Sequence, residues 1–167
     1  MERAFAVVDG ISTWVARIAA LAVIALMLTL TYEVVMRYGL NRPTAWSFDV
    51  SYFLNSFFVM MGAAYTLLRD GHVRVDLLYS RLPERVRAGL DAILMLLLFV
   101  PSWGLLLYAM WPNIEQSWRI GERASVGTWQ PLIYPFKTWV FVAMFLLLLQ
   151  GIVVMLRNFL IVLNGRR

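Results

Sequence analysis

The sequence predicts an all-α integral membrane protein of four transmembrane helices, on three observations. Apolar residues make up 61% of the 167 positions and charged residues only 15%, more apolar surface than a soluble core of this size can hide. Four long stretches carry no charge: 18–32, 50–68, 92–114 and 138–156. The charges that do occur gather at the edges of these stretches, where a bilayer leaves room for them.

A helix needs about 20 mostly apolar residues to cross about 30 Å of hydrocarbon. The second, third and fourth stretches meet that length, and the first does so as 14–36 if Arg17 and Glu33 lie near the two interfaces. The expected spans are 14–36, 46–68, 90–112 and 134–157 of a single four-helix domain. The start of the chain mixes Glu2, Arg3, Asp9 and Arg17 instead of showing a basic n-region and a short apolar core, so the first helix is expected to be retained, not cleaved.

Ten of the fifteen basic residues fall in the N-terminal segment, the second loop and the C-terminal segment. The positive-inside rule therefore predicts that both ends are cytoplasmic, N-in and C-in. The first connection, Tyr38-Gly39-Leu40-Asn41-Arg42-Pro43-Thr44, is a tight outer hairpin in which Gly39 and Pro43 punctuate two helices. The second begins polar and then places Pro83 and Glu84 in the first turn of a helix leading into the third span. The third, 113–137, is expected to be an irregular outer loop whose Trp118, Trp129 and Tyr134 join Trp139 in an interfacial aromatic belt. Pro101 is expected to kink the third span. No internal repeat is visible, although many self-sufficient secondary transporters are built from repeats.

The formal net charge of +5 does not indicate nucleic acid, because the Arg residues flank apolar runs instead of forming one basic patch. With no Cys and a single His, His72, the chain lacks thiolate metal ligands and the paired imidazoles of a membrane cytochrome. No cofactor and no metal are expected, and Met27, Met60, Met61 and Met95 are read as packing residues.

Glu33 and Arg37 stand one helical turn apart, the spacing at which carboxylate and guanidinium meet. They form either a neutralised interfacial pair, the favoured reading, or a proton site built on Glu33. Asp49 opens the second span just after Trp46, where the helix dipole favours a carboxylate, and is expected to lie near Arg37 or Arg42 across the hairpin. His72, Arg74 and Asp76 form a compact polar pattern with no nucleophile or metal set beside it, so a structural role is expected and an enzyme is not. Gly62, Ala63 and Ala64 are expected to allow close helix packing.

Three elements in this order resemble the DctQ-like family, the small membrane subunits of tripartite ATP-independent periplasmic (TRAP) transporters. They are Glu33-x-x-x-Arg37-Tyr38, Pro43-x-x-Trp46 with Asp49, and Gly71-His72-Val73-Arg74-Val75-Asp76. Glu115-Gln116-Ser117-Trp118, Tyr134-Pro135-Phe136-Lys137 and Leu149-Gln150-Gly151 look like one branch of that family. The resemblance implies a bacterial inner-membrane subunit without a transport site, bracing a large multi-span subunit that moves an organic acid with sodium. It also implies transient contact with a periplasmic solute-binding protein, and phospholipids are expected around the bundle. The partner-contact candidates are Glu33, Arg37, Trp46, Asp49, His72, Arg74 and Asp76. The competing reading is an autonomous proton-coupled exporter working as a homodimer through Glu33.

Overall fold

The computed structural model describes residues 2–69 and 83–164. Helix α1 (Glu2–Val34) ends in a π-helical turn, Val35–Gly39, and is followed by α2 (Ser47–Leu68). Helix α3 (Glu84–Leu94) passes through a second π-helical turn, Met95–Phe99, directly into α4 (Val100–Ile120), and α5 (Tyr134–Asn164) completes the described chain. Among the described residues, four continuous helical segments are long and apolar enough to cross a membrane: Phe5–Gly39, Ser47–Leu68, Arg85–Ile120 and Tyr134–Leu163.

The helix ends follow local chemistry. At the close of α1, Asn41 takes the left-handed conformation at φ 55°, which a short polar side chain tolerates. The Arg42 N–H then reaches the Met36 carbonyl at 2.9 Å, so an otherwise orphaned helix-end acceptor is satisfied. Asn41, not Gly39, is thus the residue that reverses the chain. Pro83 caps α3 from an extended conformation, its carbonyl accepting from Val86 and Arg87 at 3.0 and 3.1 Å.

The structure answers Pro101 with a π turn, the local widening immediately before it. Pro101 has no N–H, so the regular helical ladder loses a bond there. The Val100 N–H bonds to the Met95 carbonyl, five residues back, and such a bulge redirects side chains on its helix. Phe99, at the end of the bulge, lies against α5 at Gly151. A Cβ built on Gly151 would stand 2.1 Å from Phe99 Cε1, closer than any non-bonded carbon pair can come.

Helix α5 touches each of the other four helices, and α1 and α2 pack against each other. One apolar cluster joins Ala19, Met61 and Ala143 with Phe57, Phe58 and Leu146 around them. A second joins Leu67, Leu147 and Val154 with Ala63, Met95, Phe99 and Trp103. Small residues at the contacts let helices approach closely where lipid supplies no hydrophobic drive between them. Ala64 is only 1% exposed, whereas a Cβ on Gly62 would meet nothing within 4 Å. Gly62 is therefore not one of the close-packing positions expected. Met61 is buried and Met60 and Met95 pack against the clusters, but Met27 is 60% exposed and contributes nothing to this interior.

The third connection is shorter and more ordered than expected. Helix α4 continues through Pro112 to Ile120, and Gly121 at φ 60° caps it. The remaining 121–133 segment folds on itself through Ala124 N–H to the Pro131 carbonyl at 2.8 Å and Ile133 N–H to the Glu122 carbonyl at 2.9 Å.

Replacing Gly151 by Ala is expected to displace Phe99 and lower stability by about 1–3 kcal/mol, the usual cost of overpacking. Thermal unfolding in detergent measures it. Adding Phe99→Leu to Gly151→Ala is expected to recover most of the loss, a coupling that only direct contact produces.

Candidate functional site

Polar and charged side chains gather at the two ends of the bundle: the hairpin end, where α1 meets α2 and α4 meets α5, and the opposite, terminus end. At the hairpin end, Glu33 is almost fully buried and its carboxylate is occupied on both oxygens. Arg37 donates from Nε at 2.9 Å and from Nη2 at 2.6 Å to Oε1. The Thr44 N–H donates to Oε2 at 3.1 Å, and the Thr44 hydroxyl bonds the same oxygen. One carboxylate on α1 thereby fixes the start of the chain leading into α2. Trp46 extends the clasp by stacking on Tyr32 with ring centroids 5.8 Å apart.

Asp49 does not join this clasp. Arg37 is taken by Glu33, and Asp49, only 4% exposed, has an Oδ2 with no hydrogen-bond partner. The expected proximity to Arg37 or Arg42 is therefore replaced by something else, the backbone of the far loop. Gly127, at φ 96°, is pressed so close that a Cβ there would lie 2.9 Å from both carboxylate oxygens. Glycine is required on both counts. The position of Asp49 in the first turn of α2 sets the carboxylate against the positive end of the helix dipole.

The same end is bound together by Lys137 and Glu122, at 2.5 Å, and by the Trp118 indole N–H donating to Thr138 at 3.0 Å. Trp118 and Tyr134 rings lie 4.3 Å apart, and Phe53 stacks on Phe136 at 4.8 Å. The aromatic belt is thus also the packing between α2, α4 and α5. Below it, an open apolar groove of about 550 Å³ runs between α1, α2 and α5, lined among others by Leu21, Phe53, Phe57, Met60, Phe136 and Trp139.

At the terminus end the structure assembles a cluster that sequence reasoning did not single out. The Ser12 hydroxyl donates to Gln150 Oε1 at 2.8 Å, Gln150 Nε2 donates to Asp9 Oδ1 at 3.0 Å, and Arg157 Nη2 reaches Asp9 Oδ2 at 2.5 Å. Arg157 also lies over the Phe5 ring at 5.5 Å. Ser12 and Gln150 are 1% and 0% exposed, so their bond ties α1 to α5 where no water competes, and the partly exposed Asp9–Arg157 pair continues it outward. A signal was present: Gln150 is the one amide inside the uncharged stretch 138–156, and a polar group in an apolar span demands a partner.

His72, Arg74 and Asp76 lie outside the described residues. Of the seven candidates, the structure brings Glu33, Arg37, Trp46 and Asp49 to the hairpin end, with Asp49 apart from the ion pair.

A bundle of four membrane-length helices whose buried polar groups bind helix to helix is, in class, a multi-pass membrane protein held together by clasps at its ends. The chain belongs to the family described as the DctQ component of tripartite ATP-independent periplasmic transporters, whose model matches residues 26–160. The sialic acid TRAP transporter small permease protein SiaQ of Vibrio cholerae is 32% identical to it over 66 residues, 40% of this chain and 38% of that protein. The matched part thus spans well under two thirds of the length of that curated relative.

The Glu122 carboxyl is held below its ordinary range, first by the hydrogen bond from Lys137. A carboxyl with a lowered folded-state pKa binds fewer protons folded than unfolded, so its stabilisation is full above the ordinary range of about 4 to 5 and is lost as pH falls through the lowered value. Backbone hydrogen exchange across 121–133 is therefore expected to quicken below about pH 4 in the wild type, beyond the intrinsic pH dependence of exchange. In Glu122→Gln this extra step is expected to disappear.

Proposed function

We propose that this chain is the non-catalytic small membrane subunit of a sodium-dependent TRAP-type transporter for an organic acid, scaffolding the large transport subunit in a bacterial inner membrane. Membership of the DctQ family supports the subunit role. The observation that carries the scaffold reading is the state of Glu33, the one acidic residue buried at the outer end of α1. A carrier that couples to protons needs a carboxylate free to bind and release them. Glu33 is instead engaged on both oxygens by Arg37 and Thr44, in a clasp that holds two helices in register.

The basic residues place both termini and the second loop in the cytoplasm on this reading, with the hairpin end facing the periplasm. That end then presents the folded 121–133 segment, with exposed Trp129 and Val126, to a periplasmic solute-binding protein that docks transiently. Phospholipid chains fill what the partner leaves open. Glu33, Arg37, Trp46 and Asp49 act by shaping this surface, and none of them contacts the solute.

Purification from native membranes in mild detergent is expected to bring the chain out with a larger multi-span membrane protein in fixed stoichiometry, read by native mass spectrometry. Glu33→Ala is expected to lower the yield of that complex several-fold by freeing the hairpin. A chain that purifies alone, stable and intact, from cells expressing the whole transporter would sink the proposal.

A further inference from the structure

Asp49 stands apart at the hairpin end because the basic side chains placed there are engaged by other carboxylates. Arg37 is bound to Glu33, Arg119 to Glu115 and Lys137 to Glu122. Asp49 is 4% exposed, and among the described residues nothing hydrogen-bonds its buried Oδ2. Helix α2 carries it in its first turn, about 28 Å of helix from Leu68 at the other end. Whatever answers this carboxylate must therefore reach the hairpin end. Burying a carboxylate without a partner is costly, and the dipole at the start of α2 is the smaller effect.

The segment pressed onto Asp49 is fastened at its base. The Ala124 N–H bonds the Pro131 carbonyl, the Ile133 N–H bonds the Glu122 carbonyl, and Arg123 pairs with Leu132 in an antiparallel bridge. The tip, 125–130, is exposed and meets Asp49 through Gly127, where an added Cβ would lie 2.9 Å from both carboxylate oxygens. A Cα–H group offers a carboxylate far less than water does. Within the same tip Gln130 takes φ 47°, a conformation that a non-glycine residue adopts at a cost. Lifting the tip thus hydrates a buried carboxylate and leaves the base of the segment tied, which is the character of a low-stability local opening.

We propose that the 125–130 tip is a cover that lifts from Asp49 and yields the carboxylate to a Lys or Arg side chain of the periplasmic solute-binding protein. The inference rests on the subunit reading above, which turns the hairpin end to the periplasm, and it names the group through which docking operates. One carboxylate suffices for an ammonium or a guanidinium, whereas a metal ion asks for several ligands. Among the described residues no three side chains gather that could hold one. The incoming cation reaches Asp49 only when the cover is lifted, so docking shifts the cover by that difference in affinity.

Hydrogen exchange of the 125–130 amides in the assembled transporter reads the cover directly. Asp49→Asn and Asp49→Ala, which remove the charge that gains from hydration, are expected to slow this exchange about tenfold. Gly127→Ala, whose methyl would collide with the carboxylate, is expected to speed it about tenfold, with the α5 amides unchanged. Docking of the solute-binding protein to the transporter in nanodiscs is expected to weaken about tenfold in Asp49→Asn and to lose part of its salt dependence. In Gly127→Ala, where the cover is already lifted, docking is expected to tighten. A segment merely anchored by Asp49 behaves the other way, so faster exchange in Asp49→Asn and Asp49→Ala would overturn the inference. Exchange at 125–130, or docking, that Asp49→Asn leaves unchanged would overturn it as well, with the subunit reading intact. A wild-type chain that does not assemble with the large subunit would overturn both, and is distinguishable on that ground.

Discussion

A charge carried into hydrocarbon must meet an opposite charge or a hydrogen-bond partner at the same depth, and the arrangement of this protein follows from how each such charge is answered. Glu33 is answered within α1 and across the turn by Arg37 and Thr44, which turns a costly carboxylate into the clasp of the first hairpin. Asp9 is answered by Arg157 and Gln150, which ties the two ends of the chain together at the opposite end. Between these clasps the helices meet through apolar and small side chains, where packing alone holds them. Polar clasps at the ends and apolar contacts between them give a bundle that holds its shape. A moving carrier is built differently, around a binding site near the midplane flanked by broken helices.

Helix α5 is the axis of that bundle, and its sequence explains why. It is the most apolar of the spans, it carries the buried Gln150, and next to Gln150 it offers Gly151 as the seat for Phe99. The π turn before Pro101 is the counterpart of that seat. A proline that would disturb a regular helix is absorbed by a local widening, and the widened turn brings Phe99 against the one residue with no side chain to obstruct it. Packing between the two spans is thus specified by a pair of residues, Phe99 and Gly151, 52 positions apart in the chain.

Much of this was legible in advance because lipid imposes coarse rules. Span number, the tight first hairpin and the Glu33–Arg37 pair followed from hydropathy, turn residues and one-turn spacing. What escaped was the pairing of polar groups between helices. Gln150 and Ser12 each announce that a partner is needed, but nothing along the chain says that α1 and α5 stand side by side. Asp49 failed for the same reason: its nearest candidates in sequence were Arg37 and Arg42, while its actual neighbour is Gly127, which a distant loop delivers. The continuation of α4 past 112 escaped because hydropathy marks only the length a bilayer needs, whereas the helix runs on to Ile120, where Trp118 bonds Thr138 of α5.

On the proposed reading the protein contributes breadth and position to a transporter whose solute path lies in another subunit. Glu33 is spent on structure, and Asp49 is covered by the far loop. The most direct measurement of the central claim is solute uptake in sealed proteoliposomes under a sodium gradient, with the binding protein supplied outside. The account predicts no uptake from this chain alone, uptake when the large subunit is added, and a marked fall when the large subunit is reconstituted without this one. Solute-specific flux from vesicles containing this chain alone would contradict it.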